Sequence, residues 1–325
     1  MADSFSRETL LSVVSQHIPD SPAALCFDPV RTGKHNASFW VTGDSGRYVL
    51  RIAPADDAGF LFYEYRMMRQ EPDLHRLIRS ETDIPVAPIV GYDFGRGAIN
   101  RDYVLMRALP GIPLSDAHYL APKARERVLM QVGEYLRQLH ALTSREHLGR
   151  DAYGYLGAHR PMTPQSNWAD AFSVMWNRLL DDVVACDVYS DAEARVFRDL
   201  YDTYRPVFCR PVEPSLLHMD VWAQNILVDS AGNVTGLVDF DRALWGDVEI
   251  EFAVLDYCSI SEPAFWTGYD AERDTSPEAR IRQRFYLLYE MQKYMPIEVW
   301  RRNDPARAQG YKASSFRLAM GLLDE

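Results

Sequence analysis

The stretch LLHMDVWAQNILVDSAGNVTGLVDFDRALWGD, residues 216–247, decides how the rest of the chain is read. It holds two apolar runs, Ile226-Leu227-Val228 and Gly236-Leu237-Val238. Between them, Asp229-Ser230-Ala231-Gly232-Asn233 has the composition of a turn, so the pattern predicts two short strands in a hairpin. Polar residues stand at the outer ends: His218, Asp220 and Asn225 before the first strand, Asp239 and Asp241 after the second. A hairpin brings these ends together and places Asp220, Asn225 and Asp239 in one small volume. Any one of these residues taken alone is an ordinary surface group. As a set they are two carboxylates and an amide, oxygen donors of the kind that hold Mg²⁺, with one carboxylate to spare for acid–base work.

The pattern His218-x-Asp220-x-x-x-x-Asn225, followed by a strand ending in Asp239-Phe240, resembles the phosphotransfer centre of kinases. Asp241 stands where kinases carry the glycine of D-F-G. In this respect the chain is similar to the aminoglycoside phosphotransferase family, which does not require that glycine. It departs from the family in reading His218-Met219-Asp220 where relatives have His-Gly-Asp. The resemblance runs from about residue 28 to residue 256. It implies a bilobal α+β fold of the protein-kinase type, with an antiparallel sheet plus helix in a small N-terminal lobe. A larger, mostly helical lobe would follow. It also implies ATP (or GTP) and Mg²⁺ as cofactors. Asp220 would orient a substrate hydroxyl, Asn225 and Asp239 would hold the metal, His218 would brace the loop, and Asp241 would be a further acid near the metal.

The whole chain is consistent with that size and class. It has 325 residues, with 47% hydrophobic and 25% charged positions, enough for two lobes around sizeable cores. The formal net charge of −11 argues against a nucleic-acid partner and is compatible with a cationic acceptor. Cys26, Cys186, Cys209 and Cys258 form no C-x-x-C pair, so reduced thiols are expected rather than a zinc site. The N-terminus lacks a basic-then-apolar leader, and no apolar run reaches about 18 residues. A cytoplasmic protein without a membrane partner is the expectation; nothing in the sequence sets its oligomeric state.

Reading forward, residues 6–17 form a predicted helix, and residues 24–30, 37–41 and 48–52 form predicted strands. The loop between the first two strands contains Gly33 and Lys34 and leads to Ser38; its backbone would fold over phosphates. By resemblance, Arg51 on the third strand takes the place of the phosphate-binding lysine of kinases, and a helix acid should pair with it. Residues 60–70 lack Pro and Gly and read as a helix. Glu64 on it, within a family-like Glu-Tyr-Arg, is the expected partner. Glu71 is the second candidate, set at a helix boundary by Pro72, where a further helix begins. Strands are predicted over residues 85–92 and 103–106. The segment after them would link the lobes, with Met106, Arg107 and Ala108 lining a base pocket by resemblance. The expected division is 1–106, linker 107–113, and 114–325.

Helices are predicted over residues 123–142, 172–184 and 192–204. His140 is read as structural. Asp247, in the Gly-Asp step after the metal acid, is expected to fix the catalytic loop. The last 67 residues, 259–325, read as mostly helical, with Glu262, Phe265, Trp266, Tyr269 and Asp270 as candidates to cradle a cationic or sugar-like acceptor. The expected activity is phosphoryl transfer to a small-molecule hydroxyl, either of an antibiotic such as an aminoglycoside or of a metabolite such as an amino-alcohol or sugar. A protein kinase is disfavoured because no A-P-E segment follows Asp239. The intact Asp220, Asn225 and Asp239 weigh against a non-catalytic nucleotide binder.

Overall fold

The computed structural model describes residues 5–30, 35–56 and 59–323. Lys34 lies outside the described residues.

The N-terminal part is a five-stranded antiparallel sheet of β1 (Cys26–Pro29), β2 (Ala37–Gly43), β3 (Gly46–Ile52), β4 (Ile89–Asp93) and β5 (Tyr103–Arg107), in the order β1-β2-β3-β5-β4. Alternation along β3 buries Tyr48, Leu50 and Ile52 on one face, against Leu10, Val13 and Val14 of helix α1 (Arg7–Val14). The other face turns Arg51 towards the rest of the molecule, directly opposite Ser38 in the β2–β3 register. The crossover from β3 to β4 carries helix α2 (Glu71–Glu81), whose buried stripe includes Leu74, His75 and Ile78.

The expected helix over residues 60–70 does not form. Residues 62–66 are turns, Arg66 takes a left-handed conformation at φ 60°, and a 3₁₀ turn covers Met67–Gln70. Tertiary contacts override local propensity here. Tyr63 stacks on Tyr155 with centroids 4.7 Å apart, and the Phe62 N–H donates to Asp182 at 2.8 Å. Leu61 and Tyr63 thereby belong to the same core cluster as helices far along the chain.

The remainder contains strand β6 (Ile112–Pro113) and helices α3 (Pro122–Ala141), α4 (Ser144–Leu148), α5 (Trp168–Ala185) and α6 (Asp191–Tyr204). Strands β7 (Ser215–Leu217), β8 (Ile226–Val228), β9 (Val234–Leu237) and β10 (Leu244–Gly246) follow. Helices α7 (Val248–Tyr257), α8 (Pro263–Tyr269), α9 (Pro277–Gln292), α10 (Tyr294–Trp300) and α11 (Pro305–Leu323) complete it. The expected hairpin is β8–β9, extended by β6, while β7 pairs with β10. α3 and α8 cross at glycines: a Cβ on Gly268 would lie 1.9 Å from the Met130 carbonyl oxygen, so only glycine permits this approach. The architecture is thus α+β, with a small antiparallel sheet joined to a larger helical part. Among the described residues no helix is long and apolar enough to cross a membrane.

Candidate active site

The loop before β8 supplies Asp220 and Asn225, and the end of β9 supplies Asp239. The Val238 N–H donates to the Asn225 carbonyl at 3.1 Å, which ties the two ends of the hairpin together. Asn225 Nδ2 donates to Asp220 Oδ2 and to the Asp220 carbonyl, both at 2.9 Å. With its NH₂ group committed, Asn225 Oδ1 is left as an oxygen donor. Asp239 keeps 37% of its side chain exposed and takes a left-handed backbone at φ 74°. A non-glycine residue there is strained by roughly 1–2 kcal/mol, which the hairpin's hydrogen bonds sustain.

Met219 is also left-handed, at φ 66°. That explains why a glycine suits this position. The departure from His-Gly-Asp is tolerated because the Met219 side chain is fully buried in the main core. Its N–H donates to Glu251 Oε1 at 2.7 Å, and the His218 N–H donates to Glu251 Oε2 at 2.9 Å. His140 Nε2 reaches the same carboxylate at 2.9 Å. Although burial opposes its charge, His140 holds the Glu251 carboxyl below its usual range. His218 Nε2 in turn meets the Val238 carbonyl at 3.1 Å, which ties the loop to the strand.

The expected role of Asp247 is corrected. It caps α7 by accepting from the Glu249 N–H at 3.2 Å, and it binds Arg210 and the Tyr286 hydroxyl. The direct brace on the loop that carries Asp220 is Glu251, one turn further along α7, which sequence reasoning did not single out. Its signal, an acid inside EFAVLDY, has no partner close in sequence.

Glu64 is likewise corrected. Arg51 Nη1 bonds both oxygens of Glu71 at 2.8 Å, while Glu64 accepts from the Leu61 N–H at 2.8 Å and pairs with Arg301. The break at Arg66 turns Glu64 away, and Glu71 enters the site as the first residue of α2. Arg51 Nη2 binds Asp239 at 2.5 Å and Asp241 at 3.1 Å. Burial works against the Arg51 charge, but these three carboxylates raise its guanidinium above the ordinary range. Burial pushes Glu71 up to about 7, against the pull of Arg51. Burial and the neighbouring Asp239 hold Asp241 well above the usual carboxylate range. Partial burial works against the Asp239 charge, yet Arg51 and His218 hold Asp239 below that range.

Glu71, Asp239 and Asp241 offer oxygens within 4.8 Å of one another, so this corner can hold a cation. Hard oxygen donors of this kind suit Mg²⁺. Asp220 has its pKa raised by burial, with Lys293 pulling it back. His35, not foreseen, feels Glu64, Arg301, Asp239 and Arg51, and burial lowers its pKa to about 4.

At the end of β5, the N–H groups of Arg107 and Ala108 donate to the Pro88 and Arg47 carbonyls at 2.9 and 3.0 Å. The Arg107 guanidinium lies over Tyr48. Met106 is buried. Of the candidate acceptor residues on α8, Phe265 and Tyr269 are buried, and the Tyr269 hydroxyl bonds His140 at 2.8 Å.

The profile of the phosphotransferase enzyme family matches residues 27–282. A Vibrio parahaemolyticus protein named "Probable ketoamine kinase" is 26% identical over 264 residues, 79% of this chain and 81% of that one. Hygromycin-B 4-O-kinase of Escherichia coli is 23% identical over 304 residues, 90% of this chain and 80% of that one. Among solved structures, a thermostable mutant of aminoglycoside phosphotransferase APH(4)-Ia with AMP-PNP and hygromycin B superposes with a TM-score of 0.65. It is 17% identical and covers 98% of this chain and 100% of its own, a likeness of fold.

Proposed function

This chain belongs to the phosphotransferase enzyme family, and we propose that it moves the γ-phosphoryl group of ATP to a hydroxyl of a small molecule. The observation that carries the reading is Asp220, held by Asn225 on one side and through the Glu251 brace on the other, beside the exposed face of Asp239. Phosphoryl transfer is loose, so catalysis rests on positioning and charge rather than on a strong base.

In this reading Asp220 accepts a hydrogen bond from the acceptor hydroxyl and aims its oxygen. Asn225, through Oδ1, and Asp239 would hold Mg²⁺, with Asp241 as a further oxygen donor. The ion would supply charge neutralisation of the phosphates. Arg51, beside Ser38 on the sheet, would take phosphate oxygens in its planar fork while Glu71 keeps it oriented. The relatives named above as ketoamine and hygromycin-B kinases support a small-molecule acceptor.

The test is Mg²⁺-dependent nucleotide turnover with detection of a phosphorylated product over a panel of hydroxyl compounds, run with ATP and with GTP. Asp220→Ala is expected to lower transfer by about 10²–10⁴-fold with nucleotide affinity nearly intact. Asp239→Ala is expected to weaken binding of the metal–nucleotide complex. Transfer by Asp220→Ala at a rate comparable to the parent sinks the assignment. Nucleotide binding without turnover by any acceptor would favour a non-catalytic role.

A further inference from the structure

Helix α2 has a second surface besides the end that meets Arg51. Pro72, His75, Arg76 and Arg79 recur at the i, i+3, i+4, i+7 spacing that sets side chains on one helical face. These residues line a cleft of about 230 Å³, closed on its far side by Ile89, Val90 and Tyr92 of β4, the edge strand of the five-stranded sheet. The sheet wall is apolar. Ile89 and Val90 are half-buried, and Tyr92, which stacks on Phe94 with centroids 4.8 Å apart, is 46% exposed. The helix wall is cationic, with Arg76 and Arg79 one turn apart and no carboxylate lining the cleft among the described residues. Arg76 Nη1 bonds Asp73 at 2.8 Å in an exposed pair, and Arg79 Nη1 donates to the Val86 carbonyl at 2.8 Å. Among the described residues these are their only hydrogen bonds to the protein, so most of the donors of both guanidinium groups face solvent. The cleft also reaches the nucleotide corner. Pro72 directly follows Glu71, the acid that holds Arg51. His75 Nδ1 donates to the Ala87 carbonyl at 2.8 Å, while Nε2, buried without a hydrogen-bond partner, stands 3.8 Å from Glu71 Oε2.

We propose that the α2–β4 cleft binds a small aromatic carboxylate, ring on the β4 wall and carboxylate between Arg76 and Arg79, and that its occupation holds α2 in place and so strengthens MgATP binding at Arg51. The site stands on the cleft alone; its coupling to nucleotide rests on the phosphotransfer reading. In a chain with a net charge of −11, a groove walled by two guanidinium groups and no acid is a local exception, and it complements an anion with an apolar body. A planar carboxylate matches the guanidinium forks with charge-assisted hydrogen bonds, whereas an amine meets two like charges. The coupling follows from position. A ligand that bridges α2 to β4 restrains the helix whose first residue orients Arg51, and it adds to the ties that His75 and Arg79 already make to Ala87 and Val86. Linkage then requires MgATP to raise the affinity for the carboxylate by the same factor.

The test titrates the full chain by calorimetry with indole-3-acetate, indole-3-acetamide and tryptamine, which share a ring system and differ in charge. Indole-3-acetate is expected to bind about tenfold or more tighter than the amide, and tryptamine not to bind. Arg76→Glu changes an exposed side chain, so the variant should fold; it is expected to weaken indole-3-acetate by about tenfold or more and to leave the Kd for MgATP alone unchanged. Tyr92→Ala should also weaken the ligand, which reads the sheet wall independently. Saturating indole-3-acetate is expected to lower the Kd for MgATP by about fivefold. Binding of none of the three, equal binding of all three, or full affinity in Arg76→Glu overturns the site. Binding that leaves the Kd for MgATP unchanged overturns the coupling. MgATP that fails to bind with or without the carboxylate removes the phosphotransfer reading, and the cleft is still decided by its own titration.

Discussion

The pairing of Arg51 makes a sharp prediction, because two acids seven residues apart compete for the role in sequence and only one has it in space. Glu71 is fully buried and receives two hydrogen bonds of 2.8 Å from Arg51 Nη1. Stranding a buried cation costs about 3–5 kcal/mol. In the Glu71→Gln variant Arg51 keeps Asp239 and Asp241, so the loss in the free protein should be nearer one charged hydrogen bond, about 1.5–3 kcal/mol. The nucleotide-bound state is hit harder in function. When Asp239 and Asp241 face a metal ion, Glu71 becomes the chief anchor that keeps Arg51 extended towards the phosphates. Loss of about 1.4–2.8 kcal/mol there corresponds to a 10–100-fold rise in KM for MgATP. Glu64→Gln should instead lower thermal stability, by loosening Arg301 and the Leu61 N–H, and leave KM for MgATP within about twofold. Steady-state kinetics in varied MgATP, with melting curves for each variant, decide the matter. If Glu64→Gln raises KM as much as Glu71→Gln, or Glu71→Gln leaves it unchanged, the reasoning is refuted.

Three further perturbations test the supports of the site. Glu251→Ala strands the N–H groups of His218 and Met219, at about 1–3 kcal/mol each, and should lower kcat with little change in KM for MgATP; unchanged kcat in a folded variant would show that the brace is dispensable. Met219→Gly relieves a left-handed backbone worth about 1–2 kcal/mol but deletes a fully buried side chain worth about 2–5 kcal/mol, so denaturant titration should show net destabilisation; a stabilised variant contradicts this. Asp182, lifted by burial to about 7, should make folding less favourable as pH rises from its unfolded value near 3.8 through 7. Asp182→Asn should therefore gain stability above pH 7, on the order of 2 kcal/mol after allowance for its partial exposure, and little near pH 4. Equal gains at both pH values would remove burial of its charge as the cause.

What could be read from sequence was whatever the chain fixes over short distances. Asp220 and Asn225 lie five residues apart on one loop, and Asp239 follows across a hairpin whose turn is written in Asp229 to Asn233, so their convergence needs only local rules. The antiparallel strands and long helices followed from period and turn composition in the same way. Glu64 went wrong because residues 60–70 contain nothing that forbids a helix. The break at Arg66 is imposed by Tyr155, Asp182 and Arg301, which lie 89, 116 and 235 positions away in sequence. Glu251 escaped for the same reason: its meaning comes from partners on another element, the N–H groups of His218 and Met219. Phe265 and Tyr269 looked like ligand rings but serve the α3–α8 contact, since aromatic composition does not tell which face a ring takes.

The interposed segment around Tyr63 has a consequence for how the molecule can be divided. Leu61 and Tyr63 precede the last two strands of the small sheet, yet they pack in the core formed by α5, α6 and α9. A cut made between β5 and β6 would carry these two side chains away from the core they complete. The C-terminal piece alone would be left with a hole opposite Tyr155, and the N-terminal piece with two large exposed apolar groups. Co-expressed halves should therefore recover a folded protein only together, each supplying a surface that the other needs to close.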